Sequence, residues 1–313
     1  MLSFFKRLPK PYAVGYVAVD HGHQIFYQQF GNPKGPAVLS FHGGPGGCGR
    51  AKHAGHYDLK KYRVILFDQR GCGQSRYTDA FSENTSSATV QDGMAVLNAL
   101  KVKGKIIVAG ASFGAGLALL FAETYPRRVS HLILNSVFLM RRQDVAWVTR
   151  DSRLFYPDLM DQMREQAGSD ELIPFYHKLI FSDKYKDIQQ AQKYYGSYEH
   201  QLGSLLPSFD KTPALTDGFI QSGRIYLHYE KNHFFVSENQ ILNQIERIKH
   251  IPTLIVHNRL DFCCPVIQAY DLHRALPHSK LFIVPAQGHG HPLLFRILDK
   301  EIKKLLDKNK NIL

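Results

Sequence analysis

The sequence predicts an α/β fold, with a mostly parallel sheet covered by helices on both faces and interrupted by a helical insertion. Three observations carry this. Short apolar runs alternate with helix-forming segments. The alternation stops near Phe138 and resumes at Pro252. Gly110-Ala111-Ser112-Phe113-Gly114 falls between an apolar run and an Ala/Leu-rich segment, where a strand would turn sharply into a helix.

Residues 14–19 and 24–30 alternate apolar and polar side chains and read as antiparallel strands joined at His21-Gly22-His23. Residues 37–41, 63–67, 106–109 and 131–137 are apolar runs of the length of buried parallel strands. Residues 89–100 and 113–125 read as helices, the second stopped by Pro126. From Phe138 to Ile248 no strand-like run occurs. That stretch holds helix formers, many Tyr and Phe, and the breakers Pro157, Pro174, Pro207 and Pro213. Strands resume at 252–257 and 280–285, with helices at 266–275 and 296–307. The expected organisation is a core of 1–137 and 250–313 with a helical cap of 138–249.

The chain has 313 residues, 44% hydrophobic and 21% charged, the mix of an ordinary globular protein. No apolar run approaches the ~18 residues of a transmembrane helix. Met1-Leu2-Ser3-Phe4-Phe5-Lys6-Arg7 carries its charge after its apolar residues, the reverse of a secretory signal, so a cytoplasmic protein is expected. Cys48 and Cys72 lie in glycine-rich loops, Cys263 and Cys264 are adjacent, and no Cys-x-x-Cys pair suggests a metal. The net charge is +12, yet residues 141–250 carry 14 Lys or Arg against 15 Asp or Glu. The excess lies elsewhere, without a basic stripe interleaved with aromatics, so nucleic acid is not an expected partner.

A sharp strand-to-helix turn strains the serine backbone and exposes its oxygen, making Ser112 the candidate nucleophile. A serine needs a base, and the base needs an orienting acid. In sheets of this kind the order along the chain is Ser, Asp or Glu, His. Asp261 and His289 follow the two late strands in that order. His291 is the rival base, and Asp271, inside a helix, the rival acid. His42-Gly43-Gly44-Pro45-Gly46-Gly47 would expose backbone N–H groups beside the nucleophile. Gly44 and Phe113 form the expected oxyanion pair, and Gly43 lies among the substrate-binding positions. Asp68-Gln69-Arg70-Gly71-Cys72-Gly73-Gln74-Ser75 reads as a turn braced by a buried ion pair. This chemistry calls for no metal or cofactor.

At these residues the chain resembles the proline iminopeptidases, α/β-hydrolases that remove an N-terminal proline. Their HGGPGG turn, DQRGxGxS turn, GGSWG elbow, late GRxD loop and final GH match Gly43, Asp68, Ser112, Asp261, His289 and their neighbours. Glu83-Asn84-Thr85-Ser86 is similar to the family's Asn-Thr segment. The resemblance implies acidic residues gripping the free imino group and a hydrophobic pocket under the cap. Glu199, in Tyr198-Glu199-His200, matches one such glutamate; a surface carboxylate is the plain alternative. Tyr226 replaces the second, and Glu230 follows four residues on, in reach only if the segment is helical. Phe113 replaces the elbow's Trp and keeps an aromatic wall. The implied substrate is a small peptide. Another small ester, amide or lactone, and a non-catalytic ligand binder, remain as alternatives.

Overall fold

The computed structural model describes residues 8–202, 209 and 214–308, apart from the side chains of 199, 200 and 308. Its eight strands are β1 (Ala13–Ala18), β2 (Gln24–Gly31), β3 (Ala37–Phe41), β4 (Arg63–Phe67), β5 (Ile106–Ala111), β6 (Val129–Asn135), β7 (Thr253–Leu260) and β8 (Ser279–Gln287). They form one sheet in the order β1-β2-β4-β3-β5-β6-β7-β8. β2 pairs antiparallel with β1 and with β4, and the remaining pairs are parallel. The helices are α1 (Ala51–Ala54), α2 (Ser86–Ala99), α3 (Phe113–Thr124), α4 (Arg142–Thr149), α5 (Pro157–Ala167), α6 (Leu172–Ile180), α7 (Tyr185–Ala191), α8 (Ser197–Gln201), α9 (Asp217–Lys231), α10 (Gln240–Asn243), α11 (Ile267–Ala275) and α12 (Pro292–Lys308).

Alternate side chains of a strand leave opposite faces, so the central strands build two cores. Leu39, Ile65, Val108 and Leu132 pack on one face, with α2, α3 and the helical segment. Val38, Val64, Ile107 and Ile133 pack on the other. There α12 presents Leu294, Leu298, Ile302 and Leu306, spaced by four along one stripe. Burial on both faces explains why the parallel strands read as continuous apolar runs. Edge strand β1 alternates half-buried and exposed residues.

Several boundaries differ from expectation: β7 runs three residues further, to Leu260, α12 begins four residues earlier, at Pro292, and two shifts have a visible local cause. β6 ends at Asn135, not 137, because Ser136 turns the chain off the sheet at φ +49. α2 begins three residues early because Thr85 Oγ1 accepts the Ala88 N–H at 3.1 Å and caps it. Between β6 and β7 the described residues form helices and loops with no strand. α9 is fastened to the core: Tyr229 O–H donates to Asn84 Oδ1 at 2.8 Å, and His228 bonds the Asn84 carbonyl at 3.0 Å.

The turn after β4 is braced by an ion pair that leaves Asp68 out. Arg70, 1% exposed, donates to both oxygens of Asp92 at 2.7 and 2.8 Å and also reaches Asp20. Asp68 instead accepts backbone N–H groups of Gly49 and Gln74 at 2.7 and 2.8 Å, joining the two glycine-rich turns.

Glu123, near the end of α3, is 3% exposed and neither carboxylate oxygen has a hydrogen-bond partner among the described residues. Burial pushes its carboxyl up from 4.5 to about 8, with Arg247 opposing. The folded chain therefore holds a proton that the unfolded chain releases between those values, and stability falls as pH rises through that window. Glu123→Gln should match the parent at pH 5 in urea melts. At pH 9 it should be more stable by roughly 2–4 kcal/mol.

Candidate active site

Ser112 stands between β5 and α3 at φ 58 and ψ −129, a strained conformation for a residue with a side chain. Its glycine neighbours make the turn possible. A Cβ at Gly110 would strike the Gly114 carbonyl, and one at Gly114 would strike the carbonyls of Phe41 and His42. β3, β5 and α3 thus meet without intervening side chains. Gly43 lies against Ser112, where an added Cβ would come 3.3 Å from the serine Cβ.

His42 shapes the turn after β3. Its Nε2 accepts the Gln69 N–H at 3.0 Å, so Nδ1 carries the proton and donates to the Gly43 carbonyl at 2.8 Å. Burial pulls this imidazole below its ordinary range and keeps it neutral, as that arrangement requires.

Asp261 and His289 come together from the loops after β7 and β8. His289 Nδ1 lies 2.9 Å from Asp261 Oδ2 and 3.1 Å from Oδ1. The N–H groups of Cys263 and Cys264 donate to Asp261 Oδ1 at 3.0 and 2.9 Å. Burial opposes the charge on Asp261, but His289, His257 and the Cys264 N–H outweigh it and hold the carboxyl below its usual range. Ser112 and His289 line the same cavity of about 1080 Å³. His291 lines it too, with Nδ1 accepting the Leu293 N–H. Asp271 pairs instead with Arg141, at 2.8 Å. Asp261, Cys263 and His289 bring donor atoms within 4.8 Å, a set able to hold a soft cation.

Three supporting residues escaped the sequence reading. Ser136 Oγ donates to the His289 carbonyl at 2.9 Å, and Asn258 Nδ2 to the Gly288 carbonyl at 2.7 Å. His257 accepts the Val137 N–H at Nδ1, so its Nε2 donates to the Cys264 carbonyl at 2.7 Å and holds the Asp261 loop. Ser136 directly follows β6, and His257 and Asn258 lie near the end of β7. That position at the C-terminal edge of a sheet was the available signal.

The positions expected to bind substrate separate. Tyr226 and Glu230 share a face of α9, which is helical throughout. Tyr226 lines the large cavity, and both border a small adjoining void with Gly44, Pro45 and Ser112. Glu230 is buried, its Oε2 accepting the Tyr195 hydroxyl at 2.6 Å. Glu199 belongs to α8, but its side chain lies outside the described residues. Phe113 departs from the expected aromatic wall. Its ring is fully buried against Tyr229 and Phe234, with centroids 5.1 and 5.8 Å away, and does not line the cavity.

Asn258→Ala frees the Gly288 carbonyl and with it the backbone that carries the imidazole of the next residue, His289. Turnover of a short p-nitrophenyl ester should fall about tenfold in Asn258→Ala, and less in Ser136→Ala. Unchanged rates in both variants would remove these anchors from the catalytic geometry.

Residues 36–293 match the model of the alpha/beta hydrolase fold family. Among curated proteins, a probable proline iminopeptidase of Leptolyngbya boryana is 36% identical over 90% of this chain and 89% of its own. The proline iminopeptidase of Arabidopsis thaliana is 33% identical over 90% and 76%. That of Neisseria gonorrhoeae is 33% identical over 90% and 92%. Among solved structures, a proline iminopeptidase-related protein of Thermus thermophilus superposes with a TM-score of 0.61 at 19% identity, over 94% of this chain and 97% of that one. An esterase of Thermogutta terrifontis gives 0.60 at 20%, over 95% and 98%. At such identities these structures speak for the fold alone. No helix among the described residues is long and apolar enough to cross a membrane. The sheet, the strained serine turn and the curated relatives converge: the chain belongs to the proline iminopeptidase family of α/β-hydrolases.

Proposed function

We propose that the chain is a serine exopeptidase that releases N-terminal proline from small peptides, with residues 138–249 as a cap over a core of 1–137 and 250–313. Ser112 Oγ attacks the scissile carbonyl as His289 takes its proton. Asp261 stays ionised, accepts the His289 Nδ1–H and fixes the tautomer that leaves Nε2 free to act as base. The N–H groups of Gly44 and Phe113 hold the oxyanion. Phe113 is the first residue of α3, so its N–H has no partner within the helix. His289 then protonates the leaving nitrogen, and water, activated by the same imidazole, releases proline from Ser112.

The observation that carries the peptidase reading over a general esterase is Glu230. An imino cation entering an apolar pocket needs a carboxylate. Tyr226 occupies the position of a family glutamate, and Glu230 supplies the charge one helical turn later, beside the void that reaches Ser112. The Tyr195 hydroxyl holds one of its oxygens in place. Glu199 is the second candidate for the amine. Cys48 and Cys72 are free thiols, which supports a cytoplasmic site of action. A second reading, hydrolysis of another small ester or amide, draws on Tyr226 and on a main cavity lined by no Asp or Glu among the described residues.

A substrate panel separates the two. Proline p-nitroanilide should be cleaved, its N-blocked counterpart should not, and Ser112→Ala should abolish turnover. Glu230→Gln should raise KM for the anilide about ten- to a hundredfold and leave a short ester unaffected, because a charged hydrogen bond contributes roughly 1.5–3 kcal/mol. Ester turnover without anilide turnover would sink the peptidase reading.

A further inference from the structure

The large cavity has two unlike flanks. Toward the helical segment it is lined by Ile180, Tyr195, Phe219, Tyr226 and Leu227, with Glu230 behind. Toward α1 and α12 it is lined by Arg50, Lys52, His53, His56, His291 and Phe295. None of the described residues lining the cavity is Asp or Glu. Arg50 and Lys52 enter no ion pair among the described residues and their side chains are exposed. Two carboxylates of the neighbouring segments have partners other than Arg50 and Lys52. Asp68 accepts the Gly49 and Gln74 N–H groups, and Asp299 pairs with His56 at 2.6 Å. His53, whose burial lowers its imidazole to about 4, is neutral at pH 7. Two cations without an ion-pair partner among the described residues therefore line the cavity on one side, and a buried carboxylate stands behind it on the other.

The chemistry orients a substrate between these flanks. The acyl residue lies on the helical side, where Glu230 is. The leaving nitrogen must face His289, which protonates it, so the rest of the peptide departs past His289 and His291 toward α1 and α12. A carboxylate that ends this portion would meet Arg50 and Lys52. We propose that the α1–α12 flank is a subsite for the free C-terminal carboxylate of a short peptide, making the enzyme select zwitterionic oligopeptides rather than the ends of long chains. This rests on the peptidase reading. It adds that the charge on the leaving group, as well as the proline, is recognised.

The test uses matched peptides, Pro-Gly, Pro-Gly-Gly and Pro-Gly-Gly-Gly, each as free acid and as C-terminal amide. At one length the acid should be preferred about three- to tenfold in kcat/KM, equivalent to roughly 0.7–1.4 kcal/mol. The preference should shrink in 0.5 M salt. It should fall to about one in Arg50→Ala/Lys52→Ala, survive in Arg50→Lys, and invert in Lys52→Glu. Both altered side chains are exposed, so loss of fold is not the expected cause. Equal cleavage of acid and amide at every length overturns the subsite and leaves the peptidase intact. A preference that persists in the double variant overturns the assignment to these cations. Cleavage of neither peptide, alongside ester turnover, fails the peptidase reading itself and the subsite with it.

Discussion

The active geometry depends on one steric constraint, the contact of bare backbone where β3, β5 and α3 meet. Gly110 and Gly114 let the chain pass from strand to helix so tightly that Ser112 is held at positive φ. The same closeness brings the His42 turn beside the serine, so nucleophile and candidate oxyanion donors come from two strands locked in one register. His42, neutral and hydrogen-bonded through both ring nitrogens, carries the order on to the Gln69 turn, and Asp68 returns it to Gly49. A short hydrogen-bonded circuit thus supports the strained residue.

The other candidate catalytic groups arrive by the same architectural rule. Asp261 and His289 sit beyond the C-terminal ends of neighbouring parallel strands, and Ser136 and Asn258 tie the His289 loop to β6 and β7. Asp261 is buried yet remains the charged member because His289, His257 and the Cys264 N–H stabilise its negative form.

Much of this was legible in the residues because it is local. A strained elbow needs glycines at fixed spacing, and buried parallel strands need unbroken apolar runs; both leave short marks. The order of Ser112, Asp261 and His289 could be read for a different reason, because each follows a strand and the fold prescribes their sequence along the chain. Contacts over long separations left none. Nothing near Ser136 says that its hydroxyl meets a carbonyl 153 positions away. The partner of Arg70 was equally hidden, since Asp92 lies in a helix 22 residues on. Phe113 misled because residue type suggested a cavity wall, whereas the tight entry to α3 turns its ring into the packing beneath Tyr229. Glu230 was readable only conditionally, and the unbroken helix of α9 met the condition.

The fastening of α9 to Asn84 has a consequence for selectivity. Tyr226 and Glu230 stand on a helix anchored to the residues just before α2, and the rest of the helical segment packs on that same helix, through Arg224 with the Ile180 carbonyl and Tyr195 with Glu230. Glu230 and Ser112 border one small void, so on the peptidase reading the spacing set by this anchored helix measures the length of a substrate's first residue.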